Sequence, residues 1–270
     1  MKLLAPFVGK EVMSCEPGET YERSASLHMA SDSAAAYGQI RETAPRQLGR
    51  LTVFVGHLAV ALGAKRAAPR MPLGAAVAAA FGLDLLWPIL LLLGLESVRV
   101  HAGDTAFTNL AFDSYPWSHS LLAVVGWSGL AMLLGRGVYR SWRVGAVLGG
   151  LVLSHWVLDL ITHRPDLPLW PGGPVMGLGL WNSIPGTILV EGSLLAGAVW
   201  LYVGSSSARD RIGRWALVAL VTLTGLMWVT QPWSPPPPSD AAVAWGALIL
   251  WLLPPWARWI DAHRTTRGAV

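Results

Sequence analysis

RVGAVLGGLVLSHWVLDLITHRPDLPLW, residues 143–170, is an apolar run of membrane-helix length that carries His155, Asp159 and His163 at four-residue steps. On an α-helix each such step drifts by only about 40°, so the three side chains share one face. Two imidazoles and a carboxylate on one face are ligand types of zinc, iron or manganese. Ionisable groups at membrane depth are costly and by default mark a functional site. Eight residues of helix rise by about 12 Å, so His155 and His163 do not reach one ion from a straight helix. Three arrangements answer this. Asp159 pairs with one of the two histidines, the helix breaks after Ile161, or two ions bind.

Outward from the run at 143–161, six more apolar runs follow the same pattern, at 51–64, 72–94, 117–134, 186–204, 215–230 and 241–257. Of 270 residues, 53% are hydrophobic and 13% charged, with a mean hydropathy of +0.46. Soluble domains average about 25% charged residues, so they are excluded as a class. The expected fold is all-α: a polytopic integral membrane bundle of about seven (six to seven) transmembrane helices. The first run is short for a span and fits a tilted or re-entrant segment. PWSPPPPSD at 232–240 reads as a stiff connector.

Basic residues fall in alternate loops: Lys65, Arg66 and Arg70; Arg136, Arg140 and Arg143; Arg209, Arg211 and Arg214; and Arg258, Arg264 and Arg267. The loops at 95–116, 162–185 and 231–240 carry few. The positive-inside bias then places the C-terminus in the cytoplasm and the start of the first helix outside, as for a multi-pass protein of a bacterial inner membrane. It also accounts for the net charge of +4 without a nucleic-acid partner. The single Cys15 excludes an internal disulfide and a cysteine-built zinc site. Residues 1–50 are polar and aperiodic, and they read as a disordered or non-native extension. A GTG codon at Val53 would start the chain as MFVGH, at the first apolar segment. Residues 51–257 form the membrane domain, and 258–270 a basic cytoplasmic tail.

With that topology, His57, Asp84, His119, His155, Asp159, His163 and Glu191 all fall at one outward-facing level, where chance would scatter them. His57, Asp84, His119, His155, Asp159 and His163 are the candidate metal ligands; Glu191, Asp159 and His163 are the candidate proton carriers. Asp113 and Asp166 are candidates to stand behind the ligands, and His101 and Asp104 read as solvated. For Glu191 the plainer alternative is an ion pair with Arg164.

GHLAVALGAKRAAPR at 56–70, LDLLWP at 83–88, YPWSHSLLAV at 115–124 and SHWVLDLITHRPDLPLWPGG at 154–173 resemble the YdjM-like family of membrane-bound metal-dependent hydrolases. GLGLWNSIPGT at 177–187 is similar to a subgroup of bacterial membrane proteins within it, whose members begin a few residues before the GH motif. The resemblance covers about 53–205. It implies metal positions at His57, Asp84, His119, His155 and Asp159. Many relatives carry a second acid where this chain has Leu86, and H-R-G where it reads Ser114, Tyr115 and Pro116.

The expected activity is metal-dependent hydrolysis of an ester or phosphoester, lipid or lipid-linked, at the extracytoplasmic face, with zinc, iron or manganese as cofactor and the lipid bilayer as partner. Two other classes fit the same residues: a proton or divalent-metal transporter or channel, and a structural membrane protein stabilised by a metal. The clustering of polar residues at one level, with no inverted repeat, favours a blind pocket over a through-path.

Overall fold

The computed structural model describes residues 54–267, so the readings of the 1–50 extension, of Cys15 and of the Val53 start lie outside the described residues. All seven apolar runs are helical, in the order α1 (Val55–Ala67), α2 (Leu73–Ala80), α3 (Gly82–Leu92), α4 (Pro116–His119), α5 (Leu121–Tyr139), α6 (Trp142–Thr162), α7 (Ile184–Ser205), α8 (Arg211–Val229), α9 (Asp240–Ala247) and α10 (Leu253–Ala262). Short antiparallel hairpins join them: β1 (Ser97–Val100) with β2 (Leu110–Ser114), β3 (Leu167–Pro168) with β4 (Val175–Met176), and β5 (Ser206–Ala208) with β6 (Arg264–Thr266).

Among the described residues, five helical segments are long and apolar enough to cross a membrane: α5, α6, α7, α8 and the continuous stretch Asp240–Ala262. The pair α2 and α3 makes a sixth if its 52° bend lies within one crossing. The helix at the first apolar run is the exception to the expected seven. At 13 residues α1 is about 20 Å long, against a hydrocarbon core of about 30 Å. Its residues Val55, Leu58, Ala59, Ala61 and Leu62 are fully buried, enclosed by α2, α6 and α7. An apolar helix shielded all round is interior by construction.

The long helices show the opposite pattern. In α5 only 11% of the spanning window is buried, and Leu122, Val125, Leu133, Leu134 and Val138 are exposed. Faces of that kind suit hydrocarbon rather than water. α5 and α6 pack as an antiparallel hairpin through small residues. A Cβ on Gly145 would sit 2.5 Å from the carbonyl oxygen of Met132, so glycine alone permits this approach. Gly145→Leu is therefore expected to separate the hairpin and lower stability by at least about 1–3 kcal/mol. A thermal melt in detergent checks this; an unchanged midpoint would mean that the backbones are not in contact.

The loops rich in basic residues gather at one end of the bundle. Lys65 is buried with its Nζ 3.0 Å from Asp261 Oδ1 and donating to Met71 O at 2.7 Å. Arg143 Nε donates to Ala67 O at 2.6 Å, and the β5–β6 pair ties the 206–208 loop to the C-terminal segment. The segment read as a basic tail is thus integrated as far as Arg267. Arg264 is buried, donating to Ser206 and to Gly213 O while its guanidinium lies over the Tyr202 ring.

A candidate metal centre

Five side chains from four helices meet at the other end of the bundle. α6 supplies His155 and Asp159 one turn apart, α1 supplies His57, α3 supplies Asp84, and the four-residue α4 supplies His119. His57 Nε2 lies 3.3 Å from Asp159 Oδ1 and 3.9 Å from Asp84 Oδ2. His155 Nε2 lies 3.3 Å from Asp159 Oδ2 and 3.6 Å from Asp84 Oδ1. His119 Nε2 lies 3.7 Å from Asp84 Oδ1 and 3.8 Å from Asp159 Oδ2. All five residues are buried. Ligands placed about 2.0–2.2 Å from a shared ion stand about 3–4 Å from one another, which is the spacing seen here.

Local chemistry fixes how two of the rings are protonated. The bend between α2 and α3 leaves the Ala80 carbonyl outside the regular helical ladder, and His155 Nδ1 lies 2.7 Å from it. A carbonyl only accepts, so that nitrogen carries a proton, and in the neutral ring Nε2 presents the lone pair. His119 is set by a longer chain. Glu96, buried just after α3, accepts from the backbone N–H of Trp117 and of Ser118 at 2.8 Å each. It also accepts the Ser118 hydroxyl proton at 2.7 Å. With that proton committed, Ser118 Oγ accepts from His119 Nδ1 at 2.6 Å. Again the neutral ring leaves Nε2 as the lone pair.

With both rings neutral, two imidazole lone pairs face two carboxylates inside an apolar bundle. Among the described residues His155 Nε2 and Asp159 Oδ2 have no hydrogen-bond partner. Such an arrangement is costly unless a cation lies between the groups. A proton would bridge a single pair, whereas five donor atoms converge. Three nitrogens and two carboxylate oxygens suit zinc, manganese or iron. Two overlapping ligand groups are formed, His57–His155–Asp159 and Asp84–His119–His155, and both use His155. Because His155 offers one nitrogen, the five residues describe one centre rather than two.

The remaining expected site residues stand apart from these five. α6 ends at Thr162, and His163 caps it with extended backbone, so the helix stops after one residue more than the expected break. His163 Nδ1 is 3.0 Å from Asp166 Oδ1, which also accepts from Tyr115 OH at 2.9 Å, while Arg164 Nε pairs with Asp166 Oδ2 at 3.2 Å. Burial, with the Asp166 carboxylate beside it, pushes the Tyr115 phenol well above its ordinary pKa, so it remains a donor. With Nδ1 held by Asp166, His163 has Nε2 left for chemistry. Asp159, His119, Asp84 and His163 line a common cavity of about 40 Å³. Three of the candidate ligands and His163 thus line one small space.

Glu191 lies elsewhere. Its Oε1 accepts from Trp181 Nε1 at 3.3 Å, and the carboxylate reaches the N–H groups of Val55 and Gly56 that open α1. Phe54 gives α1 no side-chain cap, so Glu191 meets its unpaired amides and its positive dipole end. Asp113 pairs with Arg99 on the exposed β1–β2 hairpin, and that guanidinium holds its carboxyl below the usual range. Arg164, rather than meeting Glu191, also lies 3.1 Å from Asp104, whose side chain is only 4% exposed and so is not solvated as expected.

No family model matches this chain, nor does any curated protein or solved structure.

Glu96 and Ser118 are the functional side chains that the sequence does not flag. Glu96 follows an apolar run as an ordinary loop charge would, and Ser118 is a small polar neighbour of His119. Their link is tertiary. Glu96→Gln is expected to weaken metal binding about 10–100-fold, because partners behind a ligand imidazole orient it and fix its tautomer. Chelator competition measures this; affinity equal to wild type would remove Glu96 from the site.

Proposed function

We propose that this protein is a membrane-embedded hydrolase with a single divalent metal, zinc being the best fit, held by His57, Asp84, His119, His155 and Asp159. The observation that carries the reading is the convergence of imidazole lone pairs on two buried carboxylates beside a cavity that also exposes His163. Bound there, the ion supplies Lewis acidity and a nucleophilic water at neutral pH.

The chain's own residues do the rest. His163 holds a proton at Nε2 and delivers it to the departing oxygen. Asp166 fixes the ring through Nδ1, and Tyr115 and Arg164 hold Asp166 in place. Phe112 and Trp181 flank the His163 ring at 4.8 Å and 4.4 Å, limiting its rotation and excluding water. Asp159 acts as ligand and charge balance in this scheme. Glu191 positions His57 by anchoring α1.

A transporter fits less well. Below the centre α1 presents Leu58, Ala61 and Leu62, all fully buried, before the next ionisable group at Lys65. The site is then a blind pocket. The gathered basic loops support a topology with that end in the cytoplasm and the pocket facing out, as in a bacterial inner-membrane protein. The hydrolase activity is also what the YdjM-like motifs imply.

Elemental analysis of protein purified in detergent without chelator tests the reading. Near-stoichiometric zinc, iron or manganese is expected, with ester hydrolysis lost on chelation and restored by the ion. Metal-free protein with an intact fold would overturn it.

A further inference from the structure

We propose that Trp87 is the hydrogen-bond donor of the metal centre, its indole N–H meeting an acceptor oxygen held there, of water or of substrate. Three observations place it. Trp87 follows Asp84 by three residues on α3, so the donor and a candidate ligand share one side of the helix. It lines the same cavity as Asp84, His119, Asp159 and His163. It is only 7% exposed, and among the described residues its Nε1 has no hydrogen-bond partner.

A missing partner is not enough by itself. Trp156 and Trp228 also bury an Nε1 that meets no acceptor, but neither is among the residues lining that cavity. Elsewhere the fold supplies the acceptor: Trp181 donates to Glu191, Trp127 to Trp117 O and Trp251 to Leu85 O. Trp87 alone combines an idle buried donor with a place in the wall of the site. A buried N–H without a partner is costly, and an oxygen bound beside the ligands removes that cost. An indole N–H donates and never accepts, so the assignment needs no protonation state.

The donor is also held still. The Trp87 ring centroid lies 5.6 Å from that of Phe112, which in turn lies 4.8 Å from the His163 ring. Donor and proton carrier are therefore braced by one aromatic side chain. A fixed N–H costs no reorganisation when charge grows on the oxygen it faces. Its part in catalysis, unlike its binding role, rests on the hydrolase reading. As the water oxygen bonds to the acyl or phosphoryl centre, negative charge gathers on the carbonyl or phosphoryl oxygen that the indole faces. The bond to the leaving oxygen then breaks, that oxygen takes its proton from His163 Nε2, and the Trp87 proton stays on nitrogen throughout.

Trp87→Phe removes the N–H and keeps an aromatic ring beside Phe112, and Trp228→Phe removes an idle N–H outside the site. The visible spectrum of the cobalt-loaded full chain in detergent is titrated with acetohydroxamate, whose oxygens accept, and with 2-mercaptoethanol, which binds through a weakly accepting sulfur. In Trp87→Phe, acetohydroxamate is expected to bind about tenfold more weakly and 2-mercaptoethanol to change by less than about twofold. Trp228→Phe should alter neither. Equal weakening of both ligands, weakening of neither, or no response of the wild type to acetohydroxamate would overturn the proposal.

The N–H can also be watched directly by NMR with isotope-labelled tryptophan. Of the fifteen tryptophans, the one whose indole signal is absent in Trp87→Phe is Trp87. Its proton resonance is expected to move downfield when acetohydroxamate is added to the zinc-loaded protein; a resonance that stays in place counts against the donor. Turnover of p-nitrophenyl acetate or bis(p-nitrophenyl) phosphate separates the two readings. In Trp87→Phe kcat is expected to fall by about 100- to 1,000-fold with KM little changed. Selective loss of acetohydroxamate binding in a protein that turns over neither compound would sink the hydrolase reading and leave the donor standing. Turnover with an unchanged kcat in Trp87→Phe would remove Trp87 from the reaction.

Discussion

Asp159→Ala is expected to lower metal affinity by more than about 100-fold, since loss of a direct ligand costs more than loss of the residue behind it. Asp159 touches the site twice, with Oδ1 3.3 Å from His57 and Oδ2 3.3 Å from His155. Its removal takes away the closer of the two carboxylates that reach both His57 and His155. Asp159→Asn keeps the shape and removes the charge, and it is expected to lose nearly as much. Both variants should still insert, because insertion follows from the apolar area of the helices and not from the site. Metal content, chelator competition and circular dichroism together check the result. Stoichiometric metal in folded Asp159→Ala would remove this residue from the ligand set. Glu191→Gln provides the contrast: metal stoichiometry should survive, while the anchoring of α1 weakens.

His163→Asn is expected to reduce kcat/KM by about 100- to 10,000-fold, the usual range for a positioned proton donor, at unchanged metal content. The separation from the first prediction is deliberate. His163 lines the same cavity as Asp84, His119 and Asp159 but spends Nδ1 on Asp166. A ligand role would strip the ion; a proton-carrying role would leave the ion and slow turnover. Asp166→Asn should give a smaller loss, because the ring would keep its place between Phe112 and Trp181 and lose only its orienting acceptor. Metal loss in His163→Asn would return His163 to the ligands.

Much of the site was legible because helix geometry and membrane cost act locally. The four-residue step from His155 to Asp159 needs no tertiary information, and an acid such as Asp84 within LDLLWP stands out against its neighbours. The spacing of His155 and His163 left the helix end open, and the structure places it at Thr162, beyond which the backbone is extended and His163 turns to Asp166. Glu96 and Ser118 were not legible, since their meaning depends on a loop returning to α4. The shortness of the first run already set it apart from the other spans, and the structure supplies the reason: the 13-residue α1 is enclosed by α2, α6 and α7, whereas α5 is largely exposed. Nor does the local sequence announce that the break at Phe81 frees Ala80 O to hold a ligand ring.

The enclosure of α1 has a consequence for how the protein is made. During synthesis α1 emerges before every helix that will surround it, and its length and terminal Lys65 and Arg66 give it no stable place across a bilayer alone. It must wait at the surface or in the translocation machinery until α6 and α7 arrive to receive it. His57, the first of the five clustered side chains to leave the ribosome, thus takes its place only once α6 and α7 have arrived.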